Sequence, residues 1–504
     1  MKKNYIIGLW ALVLLIVHLM TAKNYEFHRD ELLYMSLGKH LDWGFASVPP
    51  FIGFLAKIAS IFFDNDQLGI KLMAALGGSA TLIFVGLIAV QLGGNRLAVF
   101  VSCAAFAVSP SYLWSTSLFQ PVIFDIFFWT LSAYFFIKLI QRQDPSVWLP
   151  LFACWGFGFL NKYNIAFMAL GGLMAILFSP TRRLFLSKYF LWSILLGLII
   201  VLPNLIWQYQ HGMPVLYHMR ELRENQLVHV SLVNFLFDQL LMNVHAVALW
   251  LFALIVVLFY KNEKDLRPIG LSFIITFVLF ALLNAKSYYT LGMYPMLFGI
   301  GGWAIEKYWK RAYQVVLIGM MFILPFPLIP MALFAFPPAQ MEDYLQKAKP
   351  IIGDSFLRWE GGEMHTLPQD HADMTGWQEL ADLVGQAYQS LSDEEKQHCA
   401  IFCENYGQAA AVLILGKNLP HPFSFSDNFL YWMPDSLSIS TLIYVNDETE
   451  NIRQLFNRVD EVGKVQNPYF RETQLPVFIC REPTQFIPFV NDKIKTIKAN
   501  RRGF

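Results

Sequence analysis

Apolar residues fill long stretches of the first two thirds of the chain, and short polar clusters separate them. Apolar segments can be marked at 5–22, 68–90, 96–110, 119–138, 147–160, 164–179, 190–206, 237–260, 269–284, 289–305 and 313–336. A straight helical span wants about 20 apolar residues, so the shorter segments must tilt, kink or bury polar ends inside a bundle. From Pro337 onward the pattern is that of an ordinary soluble domain. The chain therefore reads as a polytopic α-helical membrane protein with about 11 transmembrane helices. Residues 1–336 form that membrane domain and residues 337–504 a C-terminal soluble α/β accessory domain.

The start, Met1-Lys2-Lys3-Asn4, is that of a signal peptide. Its apolar stretch is longer than a typical h-region and no small-residue cleavage site follows, so it reads as a retained first helix. Basic residues fix a direction. With the N-terminus inside, the inner loops carry Lys2 and Lys3, Arg96, Lys138 and Arg142, Arg182, Arg183 and Lys188, then Lys261, Lys264 and Arg267, then Lys307, Lys310 and Arg311. This positive-inside asymmetry puts the soluble part outside, which in a bacterium is the periplasm, and the spans in the inner membrane.

The outer connections are the polar ones. The first, 23–67, reads as two amphipathic helices, Asp30 to Leu41 and Phe51 to Phe63, broken by Pro49-Pro50, of the kind that lies in a membrane interface. The connection 207–236 carries Tyr217-His218-Met219-Arg220-Glu221-Leu222-Arg223-Glu224. Two tight loops complete the set, Asn161-Lys162-Tyr163-Asn164 and Asn284-Ala285-Lys286-Ser287-Tyr288-Tyr289. In the soluble part, Trp377 to Tyr388 and Asn451 to Val462 read as helices. Ala400 to Cys403, Leu442 to Val445 and Pro476 to Ile479 read as strands. Asn405-Tyr406-Gly407-Gln408 opens another helix after the first strand, a turn that resembles half of a nucleotide-binding unit, but no GxGxxG or P-loop is present.

Composition narrows the function. Of 504 residues, 56% are hydrophobic and 15% charged, against about 25% charged in soluble proteins. The net charge of +1 argues against a nucleic-acid partner. Of the five cysteines, Cys103 and Cys154 fall in apolar helices, while Cys403 and Cys480 are placed to pair across neighbouring strands if the soluble part is in an oxidising compartment. No metal-ligand spacing is present.

Asp30 and Glu31, beside His28 and Arg29, are a candidate general base at the bilayer surface, or solvated acids favoured by a helix N-terminus. Lys162 beside Tyr163, and Lys286 beside Tyr288, run against the scarcity of basic residues in outer loops. They read as binders of a lipid phosphate, or as snorkelling lysines in an aromatic belt. Asp125 lies in an apolar helix and must meet a polar cavity or an interhelical partner. His218 and Arg220 are candidate phosphate or sugar contacts, or an exposed helix face. A lipid or solute transporter without transferase activity would share these spans and charges, although no inverted repeat is visible.

The string His28-Arg29-Asp30-Glu31-Leu32-Leu33-Tyr34, with Leu41-Asp42-Trp43-Gly44 and Val48-Pro49-Pro50, resembles the first outer loop of bacterial dolichyl-phosphate-mannose protein mannosyltransferases. That family includes the transferases that put aminoarabinose on lipid A. Gly158 to Tyr163, Lys286 to Leu291 with Tyr294-Pro295, Gly376 to Ala381 and Asn405 to Ala410 extend the likeness over nearly the whole chain. Near Met35, and at Ala46-Ser47-Val48, the chain departs from many relatives, which bears on the sugar and acceptor. The resemblance implies a class C glycosyltransferase fold and a sugar donor carried on a polyprenyl phosphate. It implies Asp30 as base with Glu31 beside it, and Lys162 and Lys286 on the donor phosphate. The expected reaction is a single inverting displacement onto lipid A, another glycan or protein. No cofactor is required, since lysines neutralise the phosphate, though Asp30 and Glu31 are also a donor pair for a divalent ion.

Overall fold

The computed structural model describes residues 2–64, 66–225, 231–447 and 450–502. The middle of the 207–236 connection, at 226–230, lies outside the described residues. The first apolar segment forms α1 (Lys2–Thr21), and the long connection after it folds into α2 (Arg29–Lys39) and α3 (Phe51–Phe63). α4 (Gln67–Gln91) leads into α5 (Arg96–Ala107) and α6 (Pro110–Ser117), which meet at 61°. Then come α7 (Pro121–Arg142), α8 (Trp148–Asn161), α9 (Ile165–Leu177) and α10 (Lys188–Gln210). The amphipathic α11 (Pro214–Asn225) precedes α12 (Leu232–Leu241) and α13 (Val247–Phe259). The bundle closes with α14 (Arg267–Leu282), α15 (Tyr294–Tyr308) and α16 (Arg311–Ile323).

Every apolar segment carries a helix, but helix length does not support about 11 spans. Among the described residues, six helices are long and apolar enough to cross a membrane, or up to nine if each of three bent pairs is one span. α8 and α15, with 14 and 15 residues, are left over. At about 1.5 Å per residue neither reaches across a hydrocarbon core of roughly 30 Å. For α15 the reason is its position. Residues 294–305 are all buried, packed among α4, α5 and α13. Small residues allow that approach: a Cβ on Gly302 would run into the Ser102 hydroxyl of α5.

The C-terminal part carries four strands: β1 (Cys399–Cys403), β2 (Thr441–Val445), β3 (Phe456–Lys464) and β4 (Pro476–Pro483). Their order is β1-β2-β4-β3, with β1 parallel to β2 and β4 antiparallel to both its neighbours. The expected helix over 451–462 is corrected: a short helix ends at Leu455 and β3 follows. The edge of β4 needs a partner for its backbone groups, and that need outweighs the helical spacing read in the sequence.

The Cys403–Cys480 pairing is also corrected. All five cysteines are free. β2 lies between the two strands, and the thiols sit on opposite faces, Cys403 packing with Ile443 and Val477, Cys480 with Leu442 and Phe478. Helices cover both faces. The inner face meets the Trp377–Gln389 and Tyr406–Leu415 helices, and the same apolar cluster continues through Leu32, Leu33, Leu37 and Ile52 of the 23–67 connection. This overturns the interfacial reading of α2, because every residue from Glu31 to Gly38 is buried. Protein, not lipid, covers the helix.

Candidate functional site

The N-terminus of α2 is the centre of the site. His28 is its N-cap, with Nδ1 accepting the Asp30 backbone N–H at 3.1 Å. The Glu31 carboxylate accepts the His28 N–H at 2.9 Å, completing a capping box. Backbone bonds tie this start to the C-terminal part: Glu26 N–H donates to Met374 O at 2.9 Å and Arg29 N–H to Asp373 O at 3.0 Å. The Glu26 carboxylate in turn accepts from the backbone of Trp377 at 2.8 Å.

This frame sends neighbouring acids in opposite directions. Glu31 is 0% exposed. Lys71 of α4 donates to both its oxygens at 2.8 Å, and Phe119 N–H adds a bond at 2.7 Å. With its oxygens so occupied, Glu31 has no access to a substrate, and the expectation of a catalytic Glu31 is corrected. A divalent ion shared by Asp30 and Glu31 does not fit for the same reason. Asp30, by contrast, keeps a 28% exposed side chain. Tyr406 O–H donates to its Oδ1 at 2.8 Å and Gln120 Nε2 to its Oδ2 at 3.3 Å.

Asp30 lines a cavity of about 620 Å³ together with His28, Arg29, Lys286 and Tyr288. Pro110, Trp114, Leu118, Met242, Leu291 and Met331 form its apolar wall. The C-terminal part supplies Glu360, Asp370, Asp373, Tyr406 and Arg471. Trp114 Nε1 donates to Asp370 at 2.6 Å, and Arg471 donates to both oxygens of Asp373 at 3.0 Å. A polar rim over an apolar wall suits an amphipathic ligand.

The two lysines meet around one ring. Lys286 Nζ is 5.9 Å from the Tyr288 ring centre, and Lys162 Nζ is 5.1 Å from the same ring and 4.6 Å from that of Tyr289. Lys286 also pairs loosely, at 4.0 Å, with the exposed Glu360. Lys162 is not among the cavity-lining residues, although it lies against the Tyr288 ring that does line the cavity. Tyr163 turns away, bonded at 3.1 Å to both Asn204 and Gln208 of α10. Asp125 is buried between Trp129 and Asn164, at 3.0 and 2.9 Å, and makes an interhelical bond rather than a cavity wall. His218 and Arg220 lie on α11 and do not line the cavity.

His28 Nε2 faces Asp370 and Asp373 at 3.7 and 3.8 Å, and one ligand atom from each of the three lies within 4.8 Å of the others. The cap decides the chemistry of this group. Since Nδ1 accepts a backbone N–H, the imidazole proton sits on Nε2, which then has no lone pair for a cation. At 3.7 and 3.8 Å Nε2 makes no hydrogen bond to either acid, so the three groups meet by electrostatics alone.

Sequence reading missed Lys71 as the partner of Glu31, and Asp370, Asp373 and Arg471. The run Asp370-His371-Ala372-Asp373 was a visible signal, with two acids three residues apart.

Known proteins can now be compared with this geometry. The family model for dolichyl-phosphate-mannose-protein mannosyltransferase matches residues 47–207, which take in Lys162 but neither Asp30 nor Lys286. Lipid A galacturonosyltransferase RgtD of Rhizobium johnstonii is 24% identical over 198 residues, 39% of this chain and 41% of that protein. Lipopolysaccharide core galacturonosyltransferase RgtA of the same organism is 27% identical over 187 residues, 35% of this chain and 36% of that one. The match thus spans about two fifths of the length of these relatives. The structure of ArnT from Cupriavidus metallidurans bound to undecaprenyl phosphate superposes with a TM-score of 0.65 at 13% identity, covering 94% of this chain and 97% of that one. The apo state of the same protein gives 0.63, also at 13% identity, over 95% and 98%. The chain shares the fold of that protein, and the family resemblance read from the sequence motifs is borne out.

Proposed function

We propose that this protein is a membrane glycosyltransferase that moves a sugar from a polyprenyl-phosphate donor to a lipid, glycan or protein acceptor at the periplasmic face of the bacterial inner membrane. The observation that carries this reading is a single cavity lined by both Asp30 and Lys286, from opposite ends of the membrane part of the chain. The positive-inside distribution of basic loops supports the orientation. The relatives named for lipid A and lipopolysaccharide core transfer make a lipopolysaccharide-type lipid the first acceptor to try. The neighbour holding undecaprenyl phosphate makes that class of lipid the first donor.

In this mechanism the lipid tail lies along the apolar wall. The donor phosphate meets Lys286, displacing its loose contact with Glu360, and Lys162 adds its charge from beside Tyr288. Asp30 takes the proton of the acceptor hydroxyl as the oxygen attacks the anomeric carbon. The bond from that carbon to the phosphate oxygen breaks, the lipid phosphate leaves with the electron pair, and the configuration inverts. Positioning, base catalysis and stabilisation of the leaving phosphate share the lowering of the barrier. No metal is required.

The test is purified protein in vesicles containing lipopolysaccharide, supplied with labelled polyprenyl-phosphate sugars that include galacturonic acid. We expect label on the acceptor lipid, and none with Asp30→Asn, which should still fold and bind donor. Full transfer by Asp30→Asn removes the base assignment. Movement of lipid across the bilayer without any new glycosidic bond would make the protein a transporter instead.

A further inference from the structure

We infer that Tyr406, from the C-terminal part of the chain, is a positioning residue that holds Asp30 in its reactive orientation, so that the catalytic centre is completed across two folding units. This inference rests on the reading of Asp30 as base.

Four observations carry it. First, the two oxygens of Asp30 are held from opposite sides. Oδ1 accepts from Tyr406 at 2.8 Å and Oδ2 from Gln120, just before α7, at 3.3 Å. A carboxylate held at both oxygens cannot spin freely about its terminal bond, and the lone pairs left over point along fixed directions.

Second, Tyr406 is itself held. The Arg29 guanidinium carbon lies 4.5 Å from its ring centre. Tyr406 opens the Tyr406–Leu415 helix, which is capped by the Asn405 side chain accepting from Gly407 and Gln408 N–H at 2.9 and 3.1 Å. Glu472 anchors both Asn405 and Gln408, at 3.0 and 2.6 Å.

Third, the helix approaches α2 closely at Gly407, where a Cβ would already touch Trp377 and Arg29. That closeness is what lets a tyrosine hydroxyl span the gap.

Fourth, burial, with the nearby charge of Asp30, raises the Tyr406 pKa well above the ordinary phenol range, so the hydroxyl remains a donor. The turn that looked like half of a nucleotide-binding unit therefore serves another purpose. Its tyrosine crosses to the membrane part, and Glu472 occupies its amides' neighbourhood.

Tyr406→Phe keeps the ring and its stacking on Arg29 but removes the donor. We expect kcat for transfer to fall about tenfold, with the KM for donor and the melting temperature in detergent unchanged. A residue that works through Asp30 has nothing to hold when the carboxylate is gone. In the Asp30→Asn background, Tyr406→Phe should therefore cause no further loss in the slow residual hydrolysis of donor. Wild-type kcat in Tyr406→Phe overturns the inference and leaves the base assignment standing. So does an equal loss in both backgrounds, or a rise in KM alone, because packing or binding would then be the role. Full activity of Asp30→Asn is the distinct outcome that removes both. Should Tyr406→Phe melt early, Gln120→Leu tests the same hold from the other oxygen: the same kcat loss and the same absence of effect in Asp30→Asn are expected, and wild-type kcat counts against the inference.

Discussion

Asp30 and Glu31 differ by one position and 28% against none in side-chain exposure. On a helix, adjacent residues point about 100° apart, so one acid can enter a cavity while the next enters the core. Nothing in the sequence says which is which, because the partner of Glu31 is Lys71, 40 residues away. Lys71 is buried too, and removing it would leave a charge without a counter-ion. Lys71→Met should cost about 3–5 kcal/mol of stability, read as a lowered melting temperature in detergent. Glu31→Gln combined with Lys71→Met should recover much of it. Lys286 is the opposite case: half-buried, paired only loosely with Glu360 and open to the cavity. Lys286→Ala should raise the KM for donor roughly tenfold or more and leave that for acceptor little changed, measured by titrating each substrate in turn.

At the scale of elements, apolar runs reported where helices would form, and the Pro49-Pro50 break correctly separated α2 from α3. They did not report length across a membrane. Hydropathy alone cannot tell a helix facing lipid from one enclosed by other helices, and α15 is of the second kind. Gly302 tests that packing. Gly302→Leu would force a side chain into Ser102 and the Ala98 carbonyl. It should destabilise by about 1–3 kcal/mol, visible as a lower melting temperature, whereas Gly8→Leu on the open face of α1 should change little. β3 escaped the sequence reading because its residues, with Asn457, Arg458 and Glu461 exposed, carry a weak strand signal. Its strand form comes from the neighbour β4.

At the scale of the whole molecule, the sheet-bearing part and the 23–67 connection share one apolar cluster. The C-terminal part is therefore more than an appendage: it walls the cavity with Asp370, Asp373 and Arg471. Because His28 holds Nε2–H toward those acids, transfer should survive a strong chelator such as EDTA undiminished; loss restored by one divalent metal would revive a metal centre. With every thiol free and Cys403 and Cys480 on opposite faces of the sheet, unfolding without reductant should expose all five cysteines to a maleimide, counted by mass.

The sequence by itself determined the alternation of apolar helices and polar loops, and the short motifs that carry Asp30, Lys162 and Lys286. These are local properties, set by hydropathy, turn residues and charge within a few positions of one another. Only the tertiary structure decided that Glu31 is a buried anchor, that Tyr163 and Asp125 face helices and not the cavity, and that Tyr406 reaches Asp30. Those outcomes depend on contacts between residues tens to hundreds of positions apart. Such contacts arise from packing against whatever surface the folded chain brings near, and no local pattern encodes that.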